Sequence, residues 1–166
     1  MAPAGSTDAT LLILGSLPGE ASLAAQRYYA HPQNQFWRLL GGALGEPLAD
    51  LAYEQRLIRL AARNVALWDV VGAARRLGSL DGAIREVTTN PLRDYVAAHP
   101  RLRAVAFNGQ TAARLGRLAI GDSGGIQLVD LPSSSPAYTI PLAEKAKRWA
   151  VLASLACPAK VATLDP

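Results

Sequence analysis

The stretch Leu11–Trp37 reads LLILGSLPGEASLAAQRYYAHPQNQFW, and its interpretation decides the fold. A short apolar run ends abruptly at Gly15-Ser16-Leu17-Pro18-Gly19, which predicts a buried strand entering a turn. A polar loop carrying Tyr28, Tyr29 and His31 follows, and Asn34 then opens an amphipathic segment with Phe36 and Trp37. A strand that runs into such a turn delivers its loop to the carboxyl edge of a sheet, where open α/β folds place ligands. Loops longer than about 12–15 residues are usually functional or disordered. The aromatic residues of this one favour function.

Outward from that stretch the chain keeps alternating. Strands are expected at 9–14, 64–71, 102–107 and 126–131, each a short apolar run bounded by turn residues. Helices are expected at 34–44, 53–63, 110–118 and 141–156, the last with Leu142, Ala146, Trp149, Leu152 and Ala153 along one face. A short helix is expected at 80–84 behind Ser79. Another runs to Ala98 from Asn90-Pro91, with Asn90 as cap and Pro91 in the first turn. Strand and helix in alternation imply a parallel sheet covered on both sides. The expected architecture is therefore α/β, a three-layer sandwich with a central four-stranded parallel sheet flanked by helices. A length of 166 residues suits a single domain, 1–166, with its core at about 9–157.

Half the residues are apolar and 18% are charged, an ordinary globular balance. No apolar run approaches the ~20 residues that span a bilayer. The opening MAPAGSTDAT has neither a basic n-region nor an apolar h-region, so no signal peptide is expected. The lone Cys157 excludes an internal disulfide and a cysteine-held metal cluster, and it suits a reducing cytoplasm. The net charge of +4 is mostly arginine, since the lysines are only Lys145, Lys147 and Lys160. Arginine favours phosphate through its planar fork of donors, so the charge permits a nucleic-acid partner without requiring one. With no exposed apolar stripe, a monomer is expected.

Each predicted strand ends in a distinctive sequence: GSLPG, Asp69, Phe107-Asn108-Gly109 and LPSSSPA. Neither GxGxxG nor GxxxxGK[ST] is present, so the nucleotide-cradling loops are absent. There is no GxSxG elbow, and Ser133–Ser135 have no suitable histidine base, since only His31 and His99 exist. No cluster has metal-ligand spacing, and no cofactor is implied. What remains is one carboxylate with neutral amides, hydroxyls and aromatic rings at a sheet edge. Each also has a plain structural explanation: Asn34 as a helix cap, Phe36 as core, Asp69 as a turn former, the serines as a polar turn.

In their order, GSLPG, YYAHPQNQFW, ALWDVV, AFNGQTA and LPSSSPA resemble the motifs of the uracil-DNA glycosylase superfamily over about residues 10–156. The nearest match is its hypoxanthine-DNA (deoxyinosine) glycosylase branch. The mismatch-specific uracil/thymine branch shares the N-x-F-W and FNG elements. The resemblance implies a four-stranded parallel sheet between helices and a base-excision repair enzyme acting on damaged DNA without a cofactor. Where the family carries a polar water-activating residue in its first motif, this chain has Ser16-Leu17. That departure moves the catalytic expectation to Asn34, whose carbonyl would orient the attacking water.

The resemblance also implies a base pocket. Phe36 is the stacking platform, Asp69 accepts a ring N–H, Tyr28 and Tyr29 wall the pocket, and Gly15 and Ser16 supply the first loop. Pro132, Ser133, Ser134 and Ser135 match the phosphate-pinching loop. Asn108 and Gly19 are further candidates, Asn108 mainly as a brace of its turn. No lysine lies in these motif loops to form a Schiff base, so a purely hydrolytic glycosylase is expected. Excision of uracil or xanthine, and a catalytically silent nucleic-acid-binding module, are the alternatives.

Overall fold

The strand β2 (Leu11–Gly15) is buried along its whole length. Leu11 and Ile13 enter one hydrophobic cluster while Leu12 and Leu14 enter another. Only a strand covered on both faces calls for apolar side chains at every position. The computed structural model, which describes residues 1–76 and 84–158, places β2 at the centre of a five-stranded sheet. The sheet order is β1 (Ala4–Gly5), β3 (Val65–Asp69), β2, β6 (Ala104–Asn108) and β7 (Gln127–Leu131). From β3 to β7 all neighbours are parallel, as expected. The fifth strand, β1, is two residues long and antiparallel, and it covers the free edge of β3.

One face of the sheet is covered by α2 (Phe36–Leu44), α3 (Tyr53–Ala62), α6 (Leu142–Trp149) and α7 (Leu152–Leu155). They bring Phe36, Leu40, Leu60, Trp149 and Leu152 onto Leu11, Ile13 and Leu67. The other face is covered by α4 (Leu92–Ala98) and α5 (Gln110–Ile120), with Leu92, Tyr95, Ala112 and Ile120 on Leu12, Leu14 and Phe107. Among the described residues no helix is long and apolar enough to cross a membrane.

Several elements differ from expectation. The loop after Gly15-Ser16 contains a short helix, α1 (Glu20–Ala25). Val71–Arg76 (β4) and Ile84–Thr89 (β5) pair as an antiparallel ribbon with two register shifts. The Gly72-Ala73-Ala74 run has poor strand propensity, so pattern reading missed it. Residues 80–83 of the short helix expected there lie outside the described residues, and Ile84 begins β5.

Asn90 does not cap α4 through its side chain. Its Nδ2 instead donates to the Asp69 carbonyl at 2.8 Å, and its backbone N–H donates to Val70 O, also at 2.8 Å. The final helix breaks at Ala150-Val151. Its buried face is Lys145, Trp149, Leu152 and Ala156, with Ala146 and Ala153 exposed. Cys157 is a free thiol with Sγ 3.6 Å from Thr10 Oγ1.

Candidate active site

The parallel register brings the strand ends level: Gly15 lies opposite Asp69, and Asn108 opposite Leu131. The motif residues thus collect on the carboxyl rim of the sheet. A Cβ at Gly15 would lie 2.9 Å from both Asp69 Oδ1 and the Tyr29 hydroxyl oxygen. Carboxylate and phenol therefore converge over a residue where any side chain would displace them. Asp69 is itself buried, with its carbonyl fixed by Asn90. Ser16 is buried beside them, and its carbonyl accepts the Val71 N–H at 2.9 Å.

A continuous hydrogen-bond chain crosses the rim. Asn108 Nδ2 donates to the Tyr29 hydroxyl at 3.2 Å and to Ser134 Oγ at 2.8 Å, while Asn108 Oδ1 accepts the Ser134 N–H at 2.9 Å. Because Ser134 Oγ receives the Asn108 proton, it gives its own to Asn34 Oδ1, at 2.9 Å. Asn34 Oδ1 also accepts the Phe36 N–H, at 2.9 Å. Both donors point at the same atom, so that atom is the oxygen and the amide orientation is settled. Asn108 is thus the centre of the chain as well as a brace of its turn. At Gly109 a φ of +99° turns the backbone out of β6 beneath Ser133.

This geometry corrects several expectations. The two lone pairs of the Asn34 carbonyl are both engaged by protein donors, which counts against the expectation that this oxygen orients water. The cap explanation of Asn34 holds in part, since it receives the first amide of α2. Asn34 is half-buried, and Nδ2 is the amide group that takes no part in these two bonds. Phe36 is fully buried, stacked face to face under Tyr29 at a centroid distance of 3.7 Å. The edges of Trp37 and Trp149 meet the same ring. Phe36 backs the ring of Tyr29, which is half-buried and the more exposed of the two.

Tyr28 is buried in the core and also lines the cavity beside Tyr29. Its hydroxyl donates to Ala2 O at 2.7 Å, and its carbonyl accepts the Trp37 indole N–H at 3.3 Å. Burial, reinforced by the Asp69 charge, pushes its phenol pKa well above the ordinary value. That cavity, of about 320 Å³, is walled by Tyr28 and Tyr29 together with Arg27, Tyr53 and Arg56.

Of the four loop residues singled out, Pro132 and Ser133–Ser135, only Ser133 and Ser135 are partly exposed. Ser134 is fully buried, and Pro132 is buried with its carbonyl taken by the Trp149 indole N–H at 2.9 Å, so neither reaches a phosphate. Gly19 heads α1 with open space around it and adds nothing to the rim. Sequence reading missed Asn90 and Lys145. The second left a visible signal, because Lys145 stands four residues before Trp149 on the apolar stripe. Among the described residues no group of His, Cys, Asp and Glu could hold a metal ion.

A parallel sheet carrying these five motifs on its carboxyl rim defines a glycosylase-type fold, and the chain belongs to the uracil DNA glycosylase superfamily, whose family model matches residues 2–156. Among its relatives is the hypoxanthine DNA glycosylase of Methanosarcina acetivorans, 43% identical over 127 residues, covering 76% of this chain and 79% of that protein. The hypoxanthine DNA glycosylase of Methanosarcina barkeri is 37% identical over 140 residues, covering 84% and 87%. The solution NMR structure of a uracil-DNA-glycosylase-like protein from M. acetivorans superposes with a TM-score of 0.82 at 38% identity, covering 93% of this chain and 96% of that one.

Proposed function

We propose that the protein is a monofunctional DNA glycosylase that removes hypoxanthine from deoxyinosine in damaged DNA and leaves an abasic site. The observation that carries this reading is the Tyr29–Asn108–Ser134–Asn34 hydrogen-bond chain on the carboxyl rim. It couples the ring of Tyr29, which lies by the buried carboxylate of Asp69, to the amide of Asn34. The names of the two Methanosarcina relatives support hypoxanthine as the base.

To reach the glycosidic bond the nucleotide is rotated out of the duplex, at a cost of a few kcal/mol. The base then stacks on the outer face of Tyr29, and Asp69 accepts its ring N1–H. As the C1′–N9 bond breaks, the electron pair moves onto the purine and the sugar becomes oxocarbenium-like. Asn34 Nδ2 donates to a purine ring nitrogen and stabilises the growing negative charge. Its carbonyl, polarised by two donors, makes that amide a stronger donor. Water then adds to C1′, and its proton leaves with the base or to solvent. The Ser133 and Ser135 hydroxyls hold the flanking phosphates, which position the strand without reading sequence.

The enzyme acts as a cytoplasmic monomer. Among the described residues the exposed large apolar side chains are Leu23, Ile58, Val87, Leu118, Tyr138 and Val151, no two of them in the same helix or strand.

The test is a set of duplexes bearing a single inosine, uracil or xanthine, incubated with the protein and then treated with alkali to cleave abasic sites. Strand cleavage at inosine is expected. Cleavage at uracil or xanthine alone would move the substrate assignment within the superfamily. A mobility shift with every strand intact would make the protein a silent binder.

A further inference from the structure

Helix α6 turns one charged residue inward. Lys145 is fully buried on the stripe that includes Trp149. Its Nζ donates to Gln35 Oε1 at 2.8 Å and to the Ser135 carbonyl at 3.1 Å, and lies 5.5 Å from the centre of the Tyr138 ring. All three partners are neutral. The neighbouring acid on the helix, Glu144, pairs with exposed Lys147 instead. Among the described residues no carboxylate pairs with Lys145. A buried ammonium without a counter-charge is costly, and burial lowers the Lys145 pKa. An apolar residue of similar length would fill this position at lower cost, so packing alone does not account for the charge.

The loop above Lys145 is arranged to suit an anion. Its carbonyls at Pro132, Ser134 and Ser135 point inward, to the Trp149 indole, the Gln35 N–H and Lys145 respectively. Those oxygens would otherwise repel a phosphate. Ser133 Oγ accepts the Ser135 N–H and Ser135 Oγ accepts the Ala137 N–H, which leaves each hydroxyl proton for an outside acceptor. A positive charge thus sits beneath a short loop whose surface offers donors.

We propose that Lys145 is the buried cation of a phosphate-binding site made by the 133–138 loop, with a DNA backbone phosphate as its counter-charge. Through Gln35 and Ser135 the same ammonium joins the start of α2 to that loop, so phosphate binding is coupled to the placement of Asn34. Lys145 is a positioning and electrostatic residue, since its burial keeps it from touching the strand directly. This inference rests on the DNA-glycosylase reading.

The test measures affinity for a duplex carrying a tetrahydrofuran abasic analogue across a range of salt concentrations, for the intact chain, Lys145→Met, Lys145→Gln and Lys147→Met. Thermal unfolding of each variant establishes that it is folded. Loss of one phosphate neutralisation lowers the slope of log K against log salt by about 0.9. The expected result is such a fall in Lys145→Met and Lys145→Gln, with binding weaker by about tenfold at low salt, and no comparable fall in Lys147→Met. If the parent chain binds with a salt-dependent slope that both folded Lys145 variants retain, the lysine is structural and the inference fails alone. If neither Lys145 variant folds while Lys147→Met does, the cation serves the fold itself and the inference again fails. If the parent chain does not bind the duplex, the glycosylase reading fails with it.

Discussion

The ring of Tyr29 lies over that of Phe36 with centroids 3.7 Å apart and planes 8° from parallel. Phe36 is sealed from solvent, while Tyr29 is only partly buried and holds a left-handed φ of 55°. That backbone conformation is uncommon for a bulky residue and persists where the surroundings enforce it. Here the stack, the Asn108 bond and the Gly15 approach do so. Tyr29→Ala is expected to lose the base platform, cutting single-turnover excision at inosine by about 10–100-fold, in line with a stacking loss of ~1–3 kcal/mol. Tyr29→Phe keeps the ring and is expected to keep most turnover. Phe36→Ala removes a fully buried ring and is expected to destabilise by about 3–5 kcal/mol, read as a fall in unfolding midpoint. Full turnover in Tyr29→Ala would place the base elsewhere.

Gly15 provides a sharper probe of geometry. A methyl group there would press on Asp69 Oδ1 and the Tyr29 hydroxyl, each 2.9 Å away. Both are the ends of side chains and can yield, so Gly15→Ala is expected to cost only about 1 kcal/mol of stability. The displaced groups are those proposed to hold the base, and a misplacement of about 1 Å can cost on the order of 10²-fold in rate. Unfolding midpoint and turnover are expected to separate in this variant. A proportionate loss of both would reduce Gly15 to a packing residue.

The sheet was legible because its information is local. The run Leu11–Leu14, the FNG turn and the LPSSSPA turn each show where a strand stops, and the parallel register then levels those stops without further instruction. The choice between Phe36 and Tyr29 was not local. Both are aromatic residues of one segment, and only the path of the loop through the φ of 55° at Tyr29 determines which ring lies outside. The orientation of the Asn34 amide was hidden for a similar reason, since it depends on Ser134, which is 100 residues away in sequence. Asn90 read as a cap because Asn-Pro is a helix-start signal, yet its side chain serves the end of β3. Lys145 was readable as a charge on an apolar stripe, but its partners, Gln35 and Ser135, come from other motifs.

Alkaline pH is expected to weaken the fold. Burial raises the phenol pKa values of Tyr28, Tyr53 and Tyr95. In the unfolded chain these groups ionise near pH ~10, whereas the folded chain keeps them protonated. Above that pH the folded state binds more protons, so its stability falls as pH rises. Lys145 acts with the opposite sign, because its lowered pKa lets the folded chain release a proton first. Arg56, whose pKa burial also lowers, shares that sign but loses its proton at higher pH. The three tyrosines therefore dominate, and the unfolding midpoint is expected to hold from about pH 7 to 9 and drop above about 10. Tyr28→Phe is expected to soften that drop. An unchanged profile in the variant would remove Tyr28 from the account.

Asn34 separates two chemistries through one atom. With Oδ1 bonded to the Ser134 hydroxyl and the Phe36 N–H, the available group is the amide donor Nδ2. A donor acts on the departing base, whereas a free acceptor would act on water. Asn34→Asp retains an oxygen for both bonds and replaces the donor with a second acceptor. If the donor matters, Asn34→Asp is expected to be as poor as Asn34→Ala, each down by about 10²–10³-fold in single-turnover rate, as for loss of one donor to a developing anion. Asn34→Asp is expected to be more stable than Asn34→Ala, because it still receives the first amide of α2. Affinity for an abasic duplex is expected to survive in Asn34→Ala, since the phosphate contacts lie on another loop. If Asn34→Asp retained or exceeded the parent rate, the acceptor would be the working atom and the carbonyl would have to turn outward during the reaction.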